Sequence, residues 1–349
     1  MQAGSGTLCL RILLFYVVII VAAIAGREYV VRSIKKKKNQ SDCQYDLFKG
    51  VSQISSAYNP FLSRCEWNRA SELTSSDVHL KYNSSLTFDG RFVSLHKDTE
   101  TDQWINLMLR SQRTVFMTWL SNTISKISGS NQYVSKALLG SPQVYLMSKD
   151  QWKFFLSSVL QQRSTKLPFN RILDIGASNG DVSARLQALS YEIWLTDVSS
   201  LISWCHWYNG FTNSFVATSI DQSTLLQAGA PTEYEAIFFL NVLDQLSDPV
   251  TYLQTLVGYL QSQNEPLTLI ISVPLPWTKK KRSKFSLPGE TWEEATANLH
   301  HVFDTVGLQT LGITRAPYLC QGTYQVPLFS LDTAIFALGL KPSDSEVNE

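Results

Sequence analysis

The chain has 349 residues, of which 44% are apolar and 17% are charged, with 30 Lys and Arg against 29 Asp and Glu. At about 150 residues per domain, this length allows two domains or one large domain with an extension. The low charged fraction and the net charge of +1 exclude an intrinsically disordered chain and provide no broad basic surface for nucleic acid. Five scattered cysteines without a C-x-x-C pair exclude a disulfide scaffold, and no metal site is expected.

The first 40 residues combine an apolar run with a basic block. Residues 12–26 carry no charge, a length between a signal-peptide core of about 7–15 residues and a spanning helix of about 20. The small residues around Ile24 favour cleavage, whereas the lysines at 35–38 favour an uncleaved anchor with the rest of the chain in the cytosol. We expect residues 1–40 to be a signal peptide or membrane anchor plus a basic linker, with membrane association through residues 8–26.

This segment predicts a location in the endoplasmic reticulum, another endomembrane or the secretory pathway, with mitochondria as the alternative. The sequons at Asn39 and Asn83 are glycosylated only if this part of the chain is lumenal. The sequence leaves lumenal and cytosolic topologies open.

Residues 41–165 are predicted to form a mainly helical N-terminal extension. Apolar residues recur at three- and four-residue spacing from Trp104 to Ile124, which is typical of an amphipathic helix. From Tyr145 onward the pattern predicts a short extended piece, a cap and a second helix, with Phe154 and Phe155 facing inward.

From residue 166 to residue 340, short apolar runs alternate with helical segments, and a flexible tail is expected at 341–349. The predicted strands are 171–175, 192–195, 215–217, 236–240, 267–273, 311–314 and 334–338. The predicted helices are 181–189, 201–208, 250–260 and 292–306. This alternation predicts an α/β core with a parallel sheet, helices on both faces and an antiparallel hairpin at one edge. Ligands of such sheets bind beyond the carboxyl ends of the strands.

The first of these strands ends in a glycine loop that has three interpretations. The spacing of Gly176 and Gly180 departs from G-x-G-x-x-G, which argues against a nicotinamide dehydrogenase. G-x-S-x-G around Ser178 matches the nucleophile elbow of serine hydrolases. However, no oxyanion segment precedes it, and the downstream histidines lie in predicted helices. The third interpretation is the D-x-G-x-G-x-G loop of S-adenosylmethionine-dependent methyltransferases, beginning at Asp174 and with Ser178 in place of the central glycine.

Asp197 ends the next predicted strand, where a carboxylate can accept both hydroxyl protons of a ribose. Its alternative role is to cap the helix that begins near Ser199. Two acidic strand ends with a glycine turn between them favour a Rossmann-like, seven-stranded class I methyltransferase with S-adenosylmethionine as cofactor.

Several later segments narrow this class. They are FLNVLD at 239–244, WEE at 292–294, TRAPYLCQG at 314–322 and LDTAIF at 331–336. Together with the loop at 173–180, they make the chain similar to the methyltransferase-like protein 9 (DREV) family over about residues 90–340. The resemblance implies a protein-histidine methyltransferase that modifies the pros nitrogen (Nδ1) of histidine in His-x-His motifs of protein or peptide substrates.

The resemblance also implies roles for individual residues. Those expected at the cofactor are Asp174, Gly176, Ser178, Gly180 and Asp197, and those expected to hold the substrate imidazole are Asn241, Asp244 and Tyr318. Two departures from the family pattern stand out: Ser178 replaces a glycine, and the segment 274–290 is short and contains a basic cluster at 279–282. The first is expected to weaken cofactor binding and the second to alter peptide choice.

The chemistry follows from the tautomers of a neutral imidazole, which has one N–H and one lone pair. If Asp244 accepts the hydrogen on Nε2, Nδ1 is left as the nucleophile, while Asn241 and Tyr318 orient the ring. The competing functions are a methyltransferase-fold binding protein that has lost its cofactor through Ser178, and a serine hydrolase that uses the same residue.

Overall fold

The computed structural model describes residues 58–59, 74–110, 143–161, 166–263, 266–277, 285–322 and 328–342. The predicted signal or anchor, the basic cluster at 279–282, the later part of the first predicted helix and the tail from 343 lie outside these residues. In the described part of the chain, no helix is both long enough and apolar enough to cross a membrane.

The described strands all belong to one mixed sheet. They are β1 (Tyr58–Asn59), β2 (Val144–Tyr145), β3 (Phe169–Ile175), β4 (Ser190–Asp197), β5 (Ser214–Val216), β6 (Ala236–Leu240), β7 (Thr268–Pro274), β8 (Leu308–Gln321) and β9 (Leu328–Leu340). Their order is β2-β8-β9-β7-β6-β3-β4-β5, and β1 pairs with β9. Strands β3, β4, β5, β6 and β7 pair with one another in parallel. Strand β9 pairs antiparallel with β7 on one side and with β8 on the other. The seven predicted strands and the antiparallel edge are confirmed, and β1 and β2 are additional.

The central strands form because their apolar runs are buried on both faces, as expected for parallel strands between helical layers. The described α-helices are α1 (Thr99–Arg110), α2 (Lys149–Leu160), α3 (Ser183–Leu186), α4 (Ser200–Tyr208), α5 (Gln222–Gln227), α6 (Pro249–Gln261) and α7 (Trp292–Thr305). Leu256 of α6 and Phe303 of α7 pack on the face of the sheet that includes Phe239. Phe155 of α2 packs on the other face, beside Phe238.

Helix α2 fixes the extension to the sheet. Its cap is Ser148, whose hydroxyl accepts from the Gln151 N–H while the Gln151 side chain accepts from the Ser148 N–H. Phe155 is fully buried, but Phe154 is 56% exposed, so the prediction that both face inward is wrong. Successive helical residues are about 100° apart, so these neighbours cannot share one narrow face.

The extension also covers the outer edge of β8. Val144 and Tyr145 of β2 pair with Cys320 and Leu319 of β8. Further along β8, Ile313 exchanges backbone hydrogen bonds with residues 91 and 93. The extension is therefore helical only in part, and its extended pieces complete the sheet.

A buried arginine joins the last two strands to α7. Arg315 on β8 makes a bidentate ion pair with Asp332 on β9 and a second ion pair with Glu293, 3.0 Å away at the start of α7. Its guanidinium lies 4.5 Å from the ring centroid of Trp292 and donates to the main-chain oxygen of Asn83 in the extension. The planar fork of arginine suits this combination of bidentate pairing and stacking.

Candidate functional site

The predicted site residues collect at the carboxyl ends of the central strands. Strands β3 and β6 are neighbours, but the chain continues from β3 to β4 on one side and from β6 to β7 on the other. This is the switch point at which open α/β sheets form a ligand crevice. The glycine loop follows β3, Asp197 is the last residue of β4, and Asn241 follows β6 directly.

The glycine loop turns through three residues in the left-handed region. Gly176, Ser178 and Gly180 have φ values of +72°, +54° and +84°. A Cβ atom on Gly176 would lie 2.6 Å from Val242, and one on Gly180 would lie 2.5 Å from Phe211. These two positions therefore require glycine for both conformation and space, whereas Ser178 adopts the conformation that a glycine would favour. The substitution leaves the turn of the loop intact.

Asp174, near the end of β3, connects the two elements that flank the loop. The residue is 2% exposed, and its carboxylate accepts a hydrogen bond of 2.5 Å from Ser183 in α3, the helix after the loop. Burial raises the pKa of Asp174 to about 7, and the Ser183 hydroxyl opposes this only in part. Asp174 therefore ties the strand before the loop to the helix behind it.

Replacing Asp174 by Asn is expected to change how stability depends on pH. The folded-state pKa lies above the unfolded value of 3.8, so ionisation costs stability as pH rises from about 4 to 7. Each tenfold difference in proton affinity corresponds to about 1.4 kcal/mol. The free energy of unfolding of Asp174→Asn should rise by a few kcal/mol relative to wild type over this interval and stay level above pH 8, as measured by urea unfolding of ligand-free protein.

Asp221→Asn provides the matched control. Asp221 caps α5, and its hydrogen bonds lower its pKa to about 2, so its contribution should not vary between pH 4.5 and 8. Parallel pH profiles for wild type and Asp174→Asn would contradict the assignment of a raised pKa to Asp174.

Asp197 lies at the end of β4 with 8% of its surface exposed. Its Oδ1 accepts from the Ser199 N–H at 3.1 Å, and Ser199 is the residue that caps α4. Asp197 thus orders the turn before the helix without being its cap. A carboxylate accepts hydrogen bonds and donates none, which is the chemistry that ribose hydroxyl groups require of a partner. The residues at this strand end therefore fit an adenosine-type ligand.

Asn241 is held in a fixed orientation by Ser272 on β7. The Ser272 hydroxyl accepts from the Asn241 N–H at 3.0 Å and donates to Asn241 Oδ1 at 2.8 Å. Asn241 has a φ of +55°, a conformation that asparagine tolerates better than most residues. Its Nδ2 is buried and forms no hydrogen bond of ordinary geometry with the described residues. The Asn241 side chain lies close enough to the Tyr318 hydroxyl to lower the pKa of that group.

Tyr318 reaches the same place from β8. Burial raises the pKa of Tyr318 well above its ordinary value, and the charges of Asp181 and Asp244 also raise it, whereas the nearby Asn241 amide lowers it. The structure thus brings together Asn241, Asp244 and Tyr318. Asp244 lies in a 3-10 helix that begins two residues after Asn241.

Three supporting residues were not identified from the sequence. Ser183 binds Asp174 and Ser272 orients Asn241, as described above. Asp181 accepts from the Val144 N–H of β2 at 3.2 Å and lies near Tyr318. Only Asp181 had a sequence signal, because it follows the glycine loop directly.

The geometry around Ser178 does not match a hydrolase. His206 contacts the main-chain oxygen of Ser178 through Nε2 at 2.5 Å and the Ser214 hydroxyl through Nδ1 at 2.7 Å. Both ring nitrogens are therefore engaged away from Ser178 Oγ, so His206 is not placed to activate that hydroxyl. Among the described residues, no group of three or more His, Cys, Asp and Glu side chains could hold a metal ion.

Comparison with known proteins gives a family match. The model of a family described as DREV methyltransferase matches residues 80–340. Similar solved structures include an S-adenosylmethionine-dependent methyltransferase from Aquifex aeolicus, with 16% identity, 53% of this chain and 89% of that chain covered, and a TM-score of 0.32. Another is the N-methyltransferase NodS from Bradyrhizobium japonicum in complex with S-adenosylhomocysteine, with 15% identity, 54% and 84% covered, and a TM-score of 0.34.

Proposed function

This chain belongs to the DREV methyltransferase family, with the Rossmann-like class I fold and S-adenosylmethionine as cofactor, and we propose that it methylates histidine in proteins. The acceptor is the pros nitrogen, Nδ1, of a histidine in a His-x-His motif. The observation that carries this proposal is the convergence of Asn241, Asp244 and Tyr318 beside the glycine loop strand.

The three side chains offer complementary chemistry to a neutral imidazole. Asp244 accepts the hydrogen on Nε2 of the substrate ring and leaves the lone pair of Nδ1 exposed. The same carboxylate stabilises the positive charge that develops on the ring during transfer. No stronger base is needed, because histidine is mostly neutral near pH 7.

Asn241 and Tyr318 act as orienting groups. Ser272 occupies Asn241 Oδ1, so the amide offers its Nδ2 hydrogens to the substrate. Because its pKa is raised, the Tyr318 hydroxyl keeps its proton and serves as a hydrogen-bonding group rather than a base. When bound, the cofactor supplies an electrophilic methyl group on a sulfonium. The contribution of the protein is to hold Nδ1 in line with that group.

Methyl transfer to peptides tests the proposal. Purified protein is incubated with S-adenosylmethionine and a peptide that contains one His-Ala-His motif, with a matched peptide in which both histidines are glutamine. We expect one methyl group per modified histidine, identified as the pros isomer by chromatography of hydrolysates against both methylhistidine standards. Transfer to lysine or to the tele nitrogen instead would overturn the histidine Nδ1 assignment.

Calorimetry separates this function from that of a non-catalytic binding protein. Absence of S-adenosylmethionine binding in the titration would favour the binding protein that has lost its cofactor and would overturn the enzyme proposal. The left-handed φ of Ser178 supports cofactor binding, because the serine adopts the turn expected of the glycine it replaces.

We also propose that the chain resides in the endomembrane system. Asn83 is exposed, so its sequon is accessible to glycosylation if this part of the chain is lumenal. A mobility shift on glycosidase treatment that disappears in Asn83→Gln is the expected result for a lumenal location. A glycan-free chain in a purified cytosolic or mitochondrial fraction would contradict the lumenal topology.

A further inference from the structure

The back of the glycine loop is held by the end of α4 and the turn after it. His206 Nε2 lies 2.5 Å from the main-chain oxygen of Ser178, and Asn209 Nδ2 lies 2.7 Å from that of Asn179. Two consecutive loop carbonyls thus receive side-chain donors from one helix end. We propose that His206 and Asn209 are positioning residues that hold the loop in its cofactor-binding conformation and so set the affinity for S-adenosylmethionine.

The roles of the two His206 nitrogens follow from their partners. A carbonyl oxygen only accepts, so Nε2 carries the hydrogen and donates to Ser178. In the neutral ring Nδ1 then accepts from the Ser214 hydroxyl, 2.7 Å away on β5. His206 is fully buried, and burial lowers its pKa, which favours this neutral form. Strand β5 therefore fixes the histidine, and the histidine fixes the loop.

Ser178 makes this support necessary. A residue with a Cβ adopts positive φ less readily than glycine, so the isolated loop would favour other conformations. The peptide between Ser178 and Asn179 is planar and trans, so its C=O and N–H point in opposite directions. A hydrogen bond that holds the Ser178 carbonyl toward α4 therefore also holds the Asn179 N–H away from α4.

Phe211 completes the support by packing. Its ring occupies the space that a Cβ on Gly180 would need, and it meets the His206 ring edge to face with centroids 6.4 Å apart. The loop is thus backed at Ser178, Asn179 and Gly180 by His206, Asn209 and Phe211 respectively. This arrangement gives a reason why a serine can replace the family glycine.

Calorimetric titration with S-adenosylhomocysteine, without peptide, tests the inference. It rests on binding of this cofactor type and not on the methyl acceptor, so failure of the histidine proposal would leave the titration interpretable. We expect His206→Phe to raise Kd about tenfold, because the partly buried Ser178 carbonyl loses its donor. His206→Gln retains a donor at the position of Nε2 and should stay within about threefold of wild type.

Ser178→Gly distinguishes loop support from general damage. Glycine reaches positive φ without the support, so His206→Phe should raise Kd by only about threefold in the Ser178→Gly background. An equal loss of affinity in both backgrounds, or an unchanged Kd in His206→Phe alone, would overturn the proposal. His300→Phe is the matched control, since His300 lies in α7 and contacts Thr310, and its Kd should equal that of wild type.

Asn209→Ala keeps the test decisive if His206→Phe does not fold. Asn209 is exposed, so its replacement carries little risk for folding. We expect Kd to rise about threefold, with KM for S-adenosylmethionine rising in parallel and KM for peptide unchanged. No change in Kd for this variant would then overturn the proposal.

Discussion

Asp244→Asn is expected to lower kcat for methylation of a His-x-His peptide by about two to four orders of magnitude, the range typical of positioned proton-accepting groups. An asparagine can still accept a hydrogen bond but lacks the charge that stabilises the imidazolium formed during transfer. Its Kd for S-adenosylhomocysteine should stay close to that of wild type. Single-turnover rates at saturating peptide measure the chemical step without product release.

Asp248→Asn is a matched control for this variant. Asp248 caps α6 by accepting from the Thr251 N–H and is exposed, and asparagine is an equally good cap. Its kcat should equal that of wild type. If Asp244→Asn had the same kcat as wild type and Asp248→Asn, Asp244 would have no role in accepting the imidazole hydrogen.

Asp197→Ala is expected to raise the Kd for S-adenosylmethionine about 100-fold. Hydrogen bonds to a charged group contribute about 1.5–3 kcal/mol each, and a ribose offers two hydroxyl groups. Asp197→Asn keeps one acceptor oxygen, so its Kd for S-adenosylmethionine should lie between those of wild type and the alanine variant. Calorimetric titration gives both values, and kcat at saturating cofactor should change little.

Asp221→Ala controls for the loss of an acidic side chain at the start of a helix. Asp221 accepts from the Thr224 N–H, so its removal should lower the thermal midpoint without affecting cofactor affinity. An Asp197→Ala variant that bound S-adenosylmethionine as wild type does would contradict the assignment of Asp197 to the ribose.

The central sheet could be predicted because its signals are local. Strand β6 is an unbroken apolar run, and the bounds predicted for it, 236–240, are those observed. The glycine loop was recognisable because Gly176 and Gly180 meet backbone and packing requirements that few residues satisfy. The turn of the glycine loop was therefore within reach of sequence reasoning.

The full length of the antiparallel hairpin and the supporting contacts of the site could not be predicted, because they depend on partners far apart in the chain. Strand β8 was predicted as 311–314 but spans Leu308–Gln321, since polar residues such as Arg315 are buried there against Asp332 and Glu293. Likewise Ser272 and Ser183 matter only through contacts with Asn241 and Asp174, which no periodicity reveals. The sheet topology predicted that the site residues would gather at one end of the sheet. It did not predict which side chains each of them would contact.

The cover that the extension gives to β8 has a consequence for handling the protein. A fragment beginning at residue 166 would leave the backbone groups near Ile313 and Leu319 without their partners at residues 91, 93 and 145. It would also uncover the apolar face occupied by Trp152 and Phe155. An unprotected outer strand is a template for pairing with another chain. Such a fragment should self-associate during expression, so the extension serves as a built-in guard against aggregation.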